Sequence, residues 1–210
     1  MPRLLRYNLA PSLNGLIASL PHYDVPWIVD DPTIDFAALY AEFDTFLMGR
    51  RTYETFLAMG SDNPLAGRPR ESVVVFSRSV PPSATEGGGD GKVRWWEQVT
   101  VVSGNAAEYV RRLKDGAGKD IWLMGGGGLA RELLRAGLVD VVEAAIMPVI
   151  VGRGVGMFGE EECWKRIGSS EAAEERDGEE GEARDWKLVL ESVEKKESGI
   201  LMTKYRVVYE

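Results

Sequence analysis

The sequence has one cysteine, Cys163, and one histidine, His22, among its 210 residues. A single cysteine cannot form an intramolecular disulfide, and these two residues cannot supply the ligands of a common structural zinc site. No segment approaches the run of about 18 apolar residues that a membrane-spanning helix needs, and the N-terminus lacks an apolar stretch of signal-peptide length. The sequence therefore predicts a cytoplasmic protein with no metal site and no membrane segment.

A basic stripe is also missing, because the formal net charge is −8 and the acidic residues are concentrated in one segment. Residues 160–185 contain eleven acidic and four basic side chains, so the rest of the chain is almost neutral. Nucleic-acid binding depends on neutralised phosphates, which makes this chain a poor candidate for it. We expect a single domain over residues 1–210, with an acidic surface insertion at about 160–185.

Strand-like and helix-like segments alternate through residue 146. An i, i+3, i+4, i+7 pattern of apolar residues from Asp35 to Phe43 predicts an amphipathic helix, and a second helix over 129–136 should end at Gly137. This alternation predicts an α/β fold: a mostly parallel central sheet, helices on both faces and an antiparallel C-terminal hairpin. The predicted strands are 3–9, 46–48, 72–77, one or two within 93–102, 121–124 and 139–146, and the hairpin pairs 187–193 with 200–209.

Four glycines stand between the predicted strand 121–124 and the helix that follows, in the run Met124–Leu129. Such a junction exposes backbone N–H groups and the positive end of a helix, and glycine lets phosphates approach the backbone. The run therefore favours a dinucleotide pyrophosphate site. A tight turn without a ligand is the alternative, because an isolated glycine motif is weak support.

Two further strand ends carry arginines, in Gly49-Arg50-Arg51-Thr52 and in Phe76-Ser77-Arg78. The carboxyl ends of parallel strands face one crevice, so we expect both segments to converge with the glycine run on one ligand. Arginine suits a phosphate monoester, which favours NADPH over NADH.

The order of these motifs, followed by Pro148 to Gly154, resembles the dihydrofolate reductase superfamily. The resemblance is closest to the stand-alone relatives of the C-terminal reductase domain of bacterial riboflavin-biosynthesis proteins. It covers about residues 4 to 158 and the final hairpin, and the segment 12–18 resembles the opening of that branch, with Asn14 in place of its usual aspartate. The implied fold is that of dihydrofolate reductase, and the implied cofactor is NADPH.

The resemblance also implies residue roles. Ala10 and Ile17 would lie beside the nicotinamide, and Gly125 and Gly126 would be joined by a cis peptide bond. Asp35 would orient and help protonate the substrate, although an aspartate near a helix start is commonly a cap. The implied cofactor-binding residues are Ala10, Ile17, Gly49, Arg50, Arg51, Thr52, Phe76, Ser77, Arg78, Met124, Gly125, Gly126, Gly127, Gly128 and Leu129.

The leading hypothesis is an NADPH-dependent reductase that transfers a hydride to a small heteroaromatic or other unsaturated substrate. One alternative is the reductase that acts on a ribosylaminopyrimidine phosphate in riboflavin biosynthesis, whose second anion site would need Arg68, Arg70 or Arg153. Another is an NADPH-binding sensor or interaction protein without turnover. The resemblance further suggests a homodimer, and we expect Trp27 to line the substrate site or to pack.

Overall fold

The computed structural model describes residues 2–78, 97–159 and 185–209. Within these ranges the chain forms ten strands, four α-helices and two short 3-10 helices, Gly60–Asp62 and Arg70–Ser72. The strands are β1 Leu5–Leu9, β2 Leu16–Ser19, β3 Phe43–Gly49, β4 Val73–Phe76, β5 Thr100–Val102, β6 Asp120–Gly125, β7 Val141–Ile146, β8 Gly154–Gly156, β9 Lys187–Lys195 and β10 Leu201–Val208. The helices are α1 Phe36–Ala41, α2 Arg50–Ala58, α3 Ala106–Asp115 and α4 Gly127–Arg135.

The main sheet has eight strands in the order β5-β4-β3-β6-β1-β7-β10-β9. Every pairing from β5 to β7 is parallel, and β10 pairs antiparallel with both β7 and β9. The predicted parallel sheet with an antiparallel C-terminal hairpin is thereby confirmed. A second sheet, in which β2 pairs antiparallel with β8, was not predicted.

Both faces of the parallel sheet are covered by helices, as predicted. Strand β4 shows how the sequence achieves this, because its consecutive valines alternate between two hydrophobic clusters. Val74 packs with residues of α3 and α4 on one face, whereas Val73 and Val75 pack with residues of α1 and α2 on the other. All three are at most 2% exposed, so the strand is buried on both sides.

The hairpin end of the sheet is different, because all nine residues of β9 are exposed. Leu188 pairs with Val207 and Val193 with Thr203, and directly paired residues lie on the same face of a sheet. Val207 belongs to the cluster that α3 and α4 cover, so this face of β9 continues the helix-covered face beyond the helices.

Several boundaries differ from the predictions: β3 begins three residues before its predicted start, β7 begins two residues after its own, and two helix boundaries also shift. Helix α1 ends at Ala41, and Phe43 is instead a buried residue of β3. The sequence pattern is ambiguous here, because an apolar residue at that spacing fits the end of a helix and the start of a following strand equally well. Helix α4 begins at Gly127, two residues before the predicted start. The predicted acidic insertion lies outside the described residues except for Asp185. No helix in the described ranges has the length and apolarity needed to cross a bilayer.

Candidate functional site

Strands β1 and β6 separate at the carboxyl end of the parallel sheet, where a ligand crevice is expected. Their parallel pairing ends at Tyr7 and Leu123, although β1 continues beside β7 for two more residues. The next carbonyl of β1, that of Asn8, accepts a hydrogen bond of 2.9 Å from the indole Nε1 of Trp122. After β1 the chain continues to β3, and after β6 it continues to β7, so the two connections run in opposite directions across the sheet. Ligands of open α/β sheets bind where the connections diverge in this way.

Two of the three predicted junctions meet beside this crevice, at the carboxyl ends of β3 and β6. A Cβ atom added to Gly49 would lie 3.7 Å from the backbone nitrogen of Gly126. The Thr52 hydroxyl would be 3.6 Å and 3.7 Å from Cβ atoms added to Gly125 and Gly126. The Gly125–Gly126 peptide bond is cis, as the resemblance implies. The expected convergence of the first arginine segment with the glycine run is confirmed.

The third junction adjoins the first through backbone pairing. Phe76 is the register partner of Gly49 at the ends of β4 and β3, and the Ser77 N–H donates to the carbonyl of Val102 at 3.0 Å. The Phe76 ring packs edge-on against Tyr109 of α3, with ring centroids 5.9 Å apart, so this side chain contributes to the core. Ser77 is buried and Arg78 is exposed.

The glycines of the run differ in what surrounds them. A Cβ atom on Gly127 would lie 2.3 Å from both the Gly156 carbonyl oxygen and the Gly159 nitrogen, which no side chain tolerates. A Cβ atom on Gly128 would meet nothing within 4 Å. Gly127 is therefore required for packing, whereas the space beside Gly128 is open to a ligand. The flanking side chains of Met124 and Leu129 pack against the two hydrophobic clusters, so only their backbones suit ligand contact.

The amino ends of α2 and α4 both lack a side-chain cap, because their N-cap residues are Gly49 and Gly126. The first turn of α2 also carries Arg50 and Arg51, two cations at the positive end of a helix, where an anion is favoured. Arg50 makes a 3.6 Å ion pair with Glu54, in which both side chains are almost half exposed. Uncapped helix ends, open glycines and adjoining arginines are a donor set that fits the phosphates of a dinucleotide.

Arg51 contacts Tyr23, which the sequence did not single out. The Arg51 Nη1 donates to the Tyr23 hydroxyl at 3.0 Å, and the guanidinium carbon lies 4.7 Å from the centre of the phenol ring. The two residues are 28 positions apart, and no spacing pattern links a loop tyrosine to a helix start at that distance.

Asp35 occupies the N-cap position of α1, and its Oδ1 accepts a 2.8 Å hydrogen bond from the Ala38 N–H. The helix-cap alternative for this residue is confirmed, and its catalytic role stays a prediction. The buried carboxylate of this segment is Asp31, which is 4% exposed. Hydrogen bonds from Ser198 and Thr33 lower the pKa of Asp31 to about 2, so it stays ionised at neutral pH.

Ala10 and Ile17, the predicted nicotinamide neighbours, are half-buried on either side of a loop that Asn14 fixes. The Asn14 Nδ2 donates to the Val151 carbonyl at 2.8 Å, and the Val151 N–H donates to Asn14 Oδ1 at 3.0 Å. A neutral amide satisfies both backbone groups, whereas an aspartate, which the resemblance implies at this position, has no donor for the carbonyl.

Two arginines considered for a second anion site lie at the wrong end of the sheet. Arg68 and Arg70 line a cavity of about 520 Å³ that also includes Val73, the first residue of β4. The crevice lies beyond the last residues of the strands, so the cavity is about one strand length away. The exposed Arg153 remains, and its carbonyl accepts a 3.1 Å hydrogen bond from the Leu20 N–H beside the β2–β8 sheet.

The two remaining side chains of interest lie in the loop before α1. His22 is exposed. Trp27 is half-buried, and its indole Nε1 has no hydrogen-bond partner within the described parts of the chain. A buried donor without a partner is consistent with both substrate contact and packing.

Comparison with known proteins identifies relatives of this architecture. The family model described as the RibD C-terminal domain matches residues 3–202. The uncharacterized protein YyaP of Bacillus subtilis (strain 168) is 29% identical over 158 residues, which are 74% of this chain and 80% of that protein.

Two solved structures share the fold. A putative riboflavin biosynthesis protein from Shewanella sp. PV-4 superposes with a TM-score of 0.67 at 22% identity, and the match covers all of both chains. A dihydrofolate reductase from Enterococcus faecalis, solved in complex with NADP(H) and RAB-propyl, gives a TM-score of 0.56 at 17% identity, covering 97% of this chain and 96% of that one.

Proposed function

Because this chain belongs to the RibD C-terminal domain family, we propose that it is an NADPH-dependent reductase acting on a small heteroaromatic or other unsaturated substrate. The observation that carries the proposal is the meeting of Gly49, Thr52 and the Gly125–Gly126 peptide at the carboxyl ends of β3 and β6. This place adjoins the point where β6 and β1 separate. The two uncapped helix ends beside this point supply N–H donors for the phosphates.

Different residues would bind different parts of the dinucleotide. Gly126 and Gly128 leave room for the pyrophosphate at the start of α4, and the Thr52 hydroxyl is close enough to donate to it. Arg50 and Arg51, with Ser77 and Arg78 nearby in the sheet, would hold the adenosine ribose and its 2′-phosphate. This charge favours NADPH over NADH, because a guanidinium binds a phosphate monoester better than a ribose hydroxyl.

The bound cofactor would supply the hydride, and the chain would orient the reacting groups. Ala10 and Ile17 would pack against the nicotinamide and exclude water from it. Asp35 would act on the substrate through its Oδ2, which makes no hydrogen bond with any described residue, while Oδ1 continues to cap α1. In that role Asp35 would orient the acceptor and assist its protonation.

A reductase of riboflavin biosynthesis acting on a ribosylaminopyrimidine phosphate is the second candidate. It is favoured by the likeness to the putative riboflavin biosynthesis protein. The substrate phosphate would require a cation near the crevice, and Arg153 is the remaining candidate among the arginines considered. If Arg153→Ala leaves the affinity for such a substrate unchanged, this assignment of the phosphate site is wrong.

Calorimetric titration with NADPH and NADH tests the main proposal. We expect NADPH to bind more tightly than NADH. Arg50→Ala and Gly126→Val should each weaken NADPH binding by about tenfold, because the first removes one charge-assisted hydrogen bond and the second prevents the close approach of the ligand to the backbone. Arg112→Ala is the matched control, because Arg112 forms the same i, i+4 pair with a glutamate on α3, remote from the crevice. No binding of either nucleotide would overturn the proposal.

Turnover distinguishes a reductase from a non-catalytic NADPH sensor. A reductase oxidises NADPH when flat unsaturated acceptors are added, and the loss of absorbance at the reduced nicotinamide band measures this. NADPH binding without oxidation by any acceptor of a broad panel would favour the sensor.

The exposed face of β9 supports a homodimer. Leu188, Leu190 and Val193 are 46–56% exposed on a strand at the sheet edge, where an unpaired strand invites association with another chain. Sedimentation is expected to give a dimer that Leu190→Lys dissociates. The control Leu13→Lys changes a side chain that is 65% exposed elsewhere and should leave the dimer intact.

A further inference from the structure

Tyr23 receives two different interactions from one guanidinium. Arg51 donates to its hydroxyl at 3.0 Å and lies over its ring, with the guanidinium carbon 4.7 Å from the ring centre. A hydrogen bond fixes a distance, and a cation–π contact fixes a plane. Together they restrict a long side chain that would otherwise sample many rotamers on the surface of α2.

The phenol is itself held by a tight turn. The Tyr23 N–H donates to the Ser19 carbonyl and the Ser19 N–H donates to the Asp24 carbonyl, both at 2.8 Å. Tyr23 has φ of 60°, and it is the only non-glycine residue with positive φ within the described ranges. An aromatic residue rarely adopts this conformation, and it persists only when its surroundings enforce it. The ring is therefore placed by the backbone of a hydrogen-bonded turn that follows β2.

The contact leaves Arg51 able to bind an anion. A guanidinium has five N–H donors, and the described contacts of this side chain use one of them, on a neutral partner. Arg51 keeps its full positive charge and its other donors, in the helical turn that also carries Thr52 beside the glycine run. Tyr23 thus holds the arginine without neutralising it, unlike a carboxylate partner.

We propose that Tyr23 is a positioning residue that preorganises Arg51 for a phosphate group of the cofactor. This inference rests on the proposed function and extends it to a residue outside the cofactor shell. Because the arginine is already ordered, it loses less conformational entropy when the cofactor binds. The affinity for the cofactor rises without any new contact to it. Because coupling is reciprocal, bound phosphate also stabilises the turn at residues 19–24.

A double-mutant cycle on NADPH affinity, measured by calorimetry, tests the assignment. We expect Tyr23→Ala to weaken binding by about fivefold to tenfold. Tyr23→Phe keeps the ring face and should weaken binding by only about twofold to threefold. In the Arg51→Gln background, Tyr23→Ala should have no further effect, because the tyrosine acts through the arginine. His22→Ala is the matched control, since it truncates the exposed neighbour in the same turn.

The outcomes separate the two claims. If Tyr23→Ala binds NADPH like the parent protein, or if its effect adds fully to that of Arg51→Gln, the positioning role is wrong while the proposed function stands. If the parent protein binds neither NADPH nor NADH, the proposed function fails and the role of Tyr23 fails with it. Thermal unfolding of each variant shows whether a weaker affinity merely reports a damaged fold.

Discussion

Three cations at the amino ends of the parallel strands differ in their partners from the arginines beside the crevice at the carboxyl ends. At the amino end, Arg3 is buried against Asp44 and donates to Thr45 at 2.7 Å. Lys114 likewise pairs with Asp140, which also accepts the Leu5 N–H at 2.7 Å. Each of these cations has a carboxylate partner within the fold.

Arg6 is the most elaborate case at the amino end. It donates to both carboxylate oxygens of Glu143 and also pairs with Glu42 and Asp120. Burial alone would lower the pKa of Arg6, but the hydrogen bonds to Glu143 and Glu42 raise it above its ordinary value. The guanidinium is therefore permanently charged and fully committed to the structure.

At the carboxyl end, less of the positive charge is neutralised by carboxylates. Arg51 is held by a neutral phenol, and Arg50 has a longer, exposed ion pair with Glu54. Two uncapped helix ends add further positive potential. The three cations described at the amino end are thus satisfied by carboxylates within the fold and stabilise it, whereas Arg51 retains charge that an anionic ligand can satisfy.

Removing one arginine from each end is the sharpest way to break this comparison. Arg6→Met should lower the free energy of unfolding by about 3–5 kcal/mol, because it leaves the nearly buried Glu143 without its main partner. Arg51→Met should change it by less than about 0.5 kcal/mol and instead weaken NADPH binding. Urea unfolding and calorimetry measure the two effects, and equal destabilisation by both substitutions would contradict the comparison.

Adjacent glycines of α4 provide a second contrast. Gly127→Ala should destabilise the protein by about 1–3 kcal/mol or more, because its Cβ would overlap the backbone of Gly156 and Gly159. Gly128→Ala should preserve stability or raise it by up to about 1 kcal/mol, since alanine favours a helix, while it weakens NADPH binding. Thermal unfolding with and without NADPH separates these outcomes, and a stable Gly127→Ala protein would contradict the packing role.

The loop amide of Asn14 tests a smaller effect at the carboxyl end. Asn14→Asp should cost about 1 kcal/mol, because the carboxylate cannot donate to the Val151 carbonyl. Asn63→Asp is the matched control, since Asn63 only accepts a hydrogen bond, from the Leu65 N–H, and aspartate retains that ability. Equal unfolding midpoints for the two variants would show that the donor is dispensable.

Asp31 should give the smallest effect, and one that depends on pH. Its pKa in the folded protein is about 2 against an ordinary value of 3.8, so the unfolded state binds the proton more readily. Its contribution to stability is therefore present above about pH 4 to 5 and is lost as the pH falls towards 2. The melting temperature of Asp31→Asn should lie below that of the parent at pH 7, and the gap should close in acid. A gap independent of pH would contradict ionisation as its cause.

Much of this architecture could be predicted from the sequence because it rests on local patterns. Consecutive valines in β4 indicate burial on two faces, and glycines between a strand and a helix indicate a close approach to the backbone. The pairings that the sequence did not reveal join distant residues. Arg51 with Tyr23, Arg6 with Glu143, and the short strands β2 and β8 leave no periodic signal, because only the folded topology brings them together.

The hydrogen bond from Trp122 to Asn8 gives this protein a built-in spectroscopic probe. The indole N–H lies where β1 and β6 part, while the ring is packed among Tyr40, Phe43 and Phe46, with ring centroids 4.8–6.0 Å away. Its nitrogen-15 resonance therefore senses the mouth of the crevice from a position anchored in the rigid interior. The rate of deuterium exchange at the same N–H measures how often this hydrogen bond between the two strands opens. Equilibrium binding data do not resolve that motion.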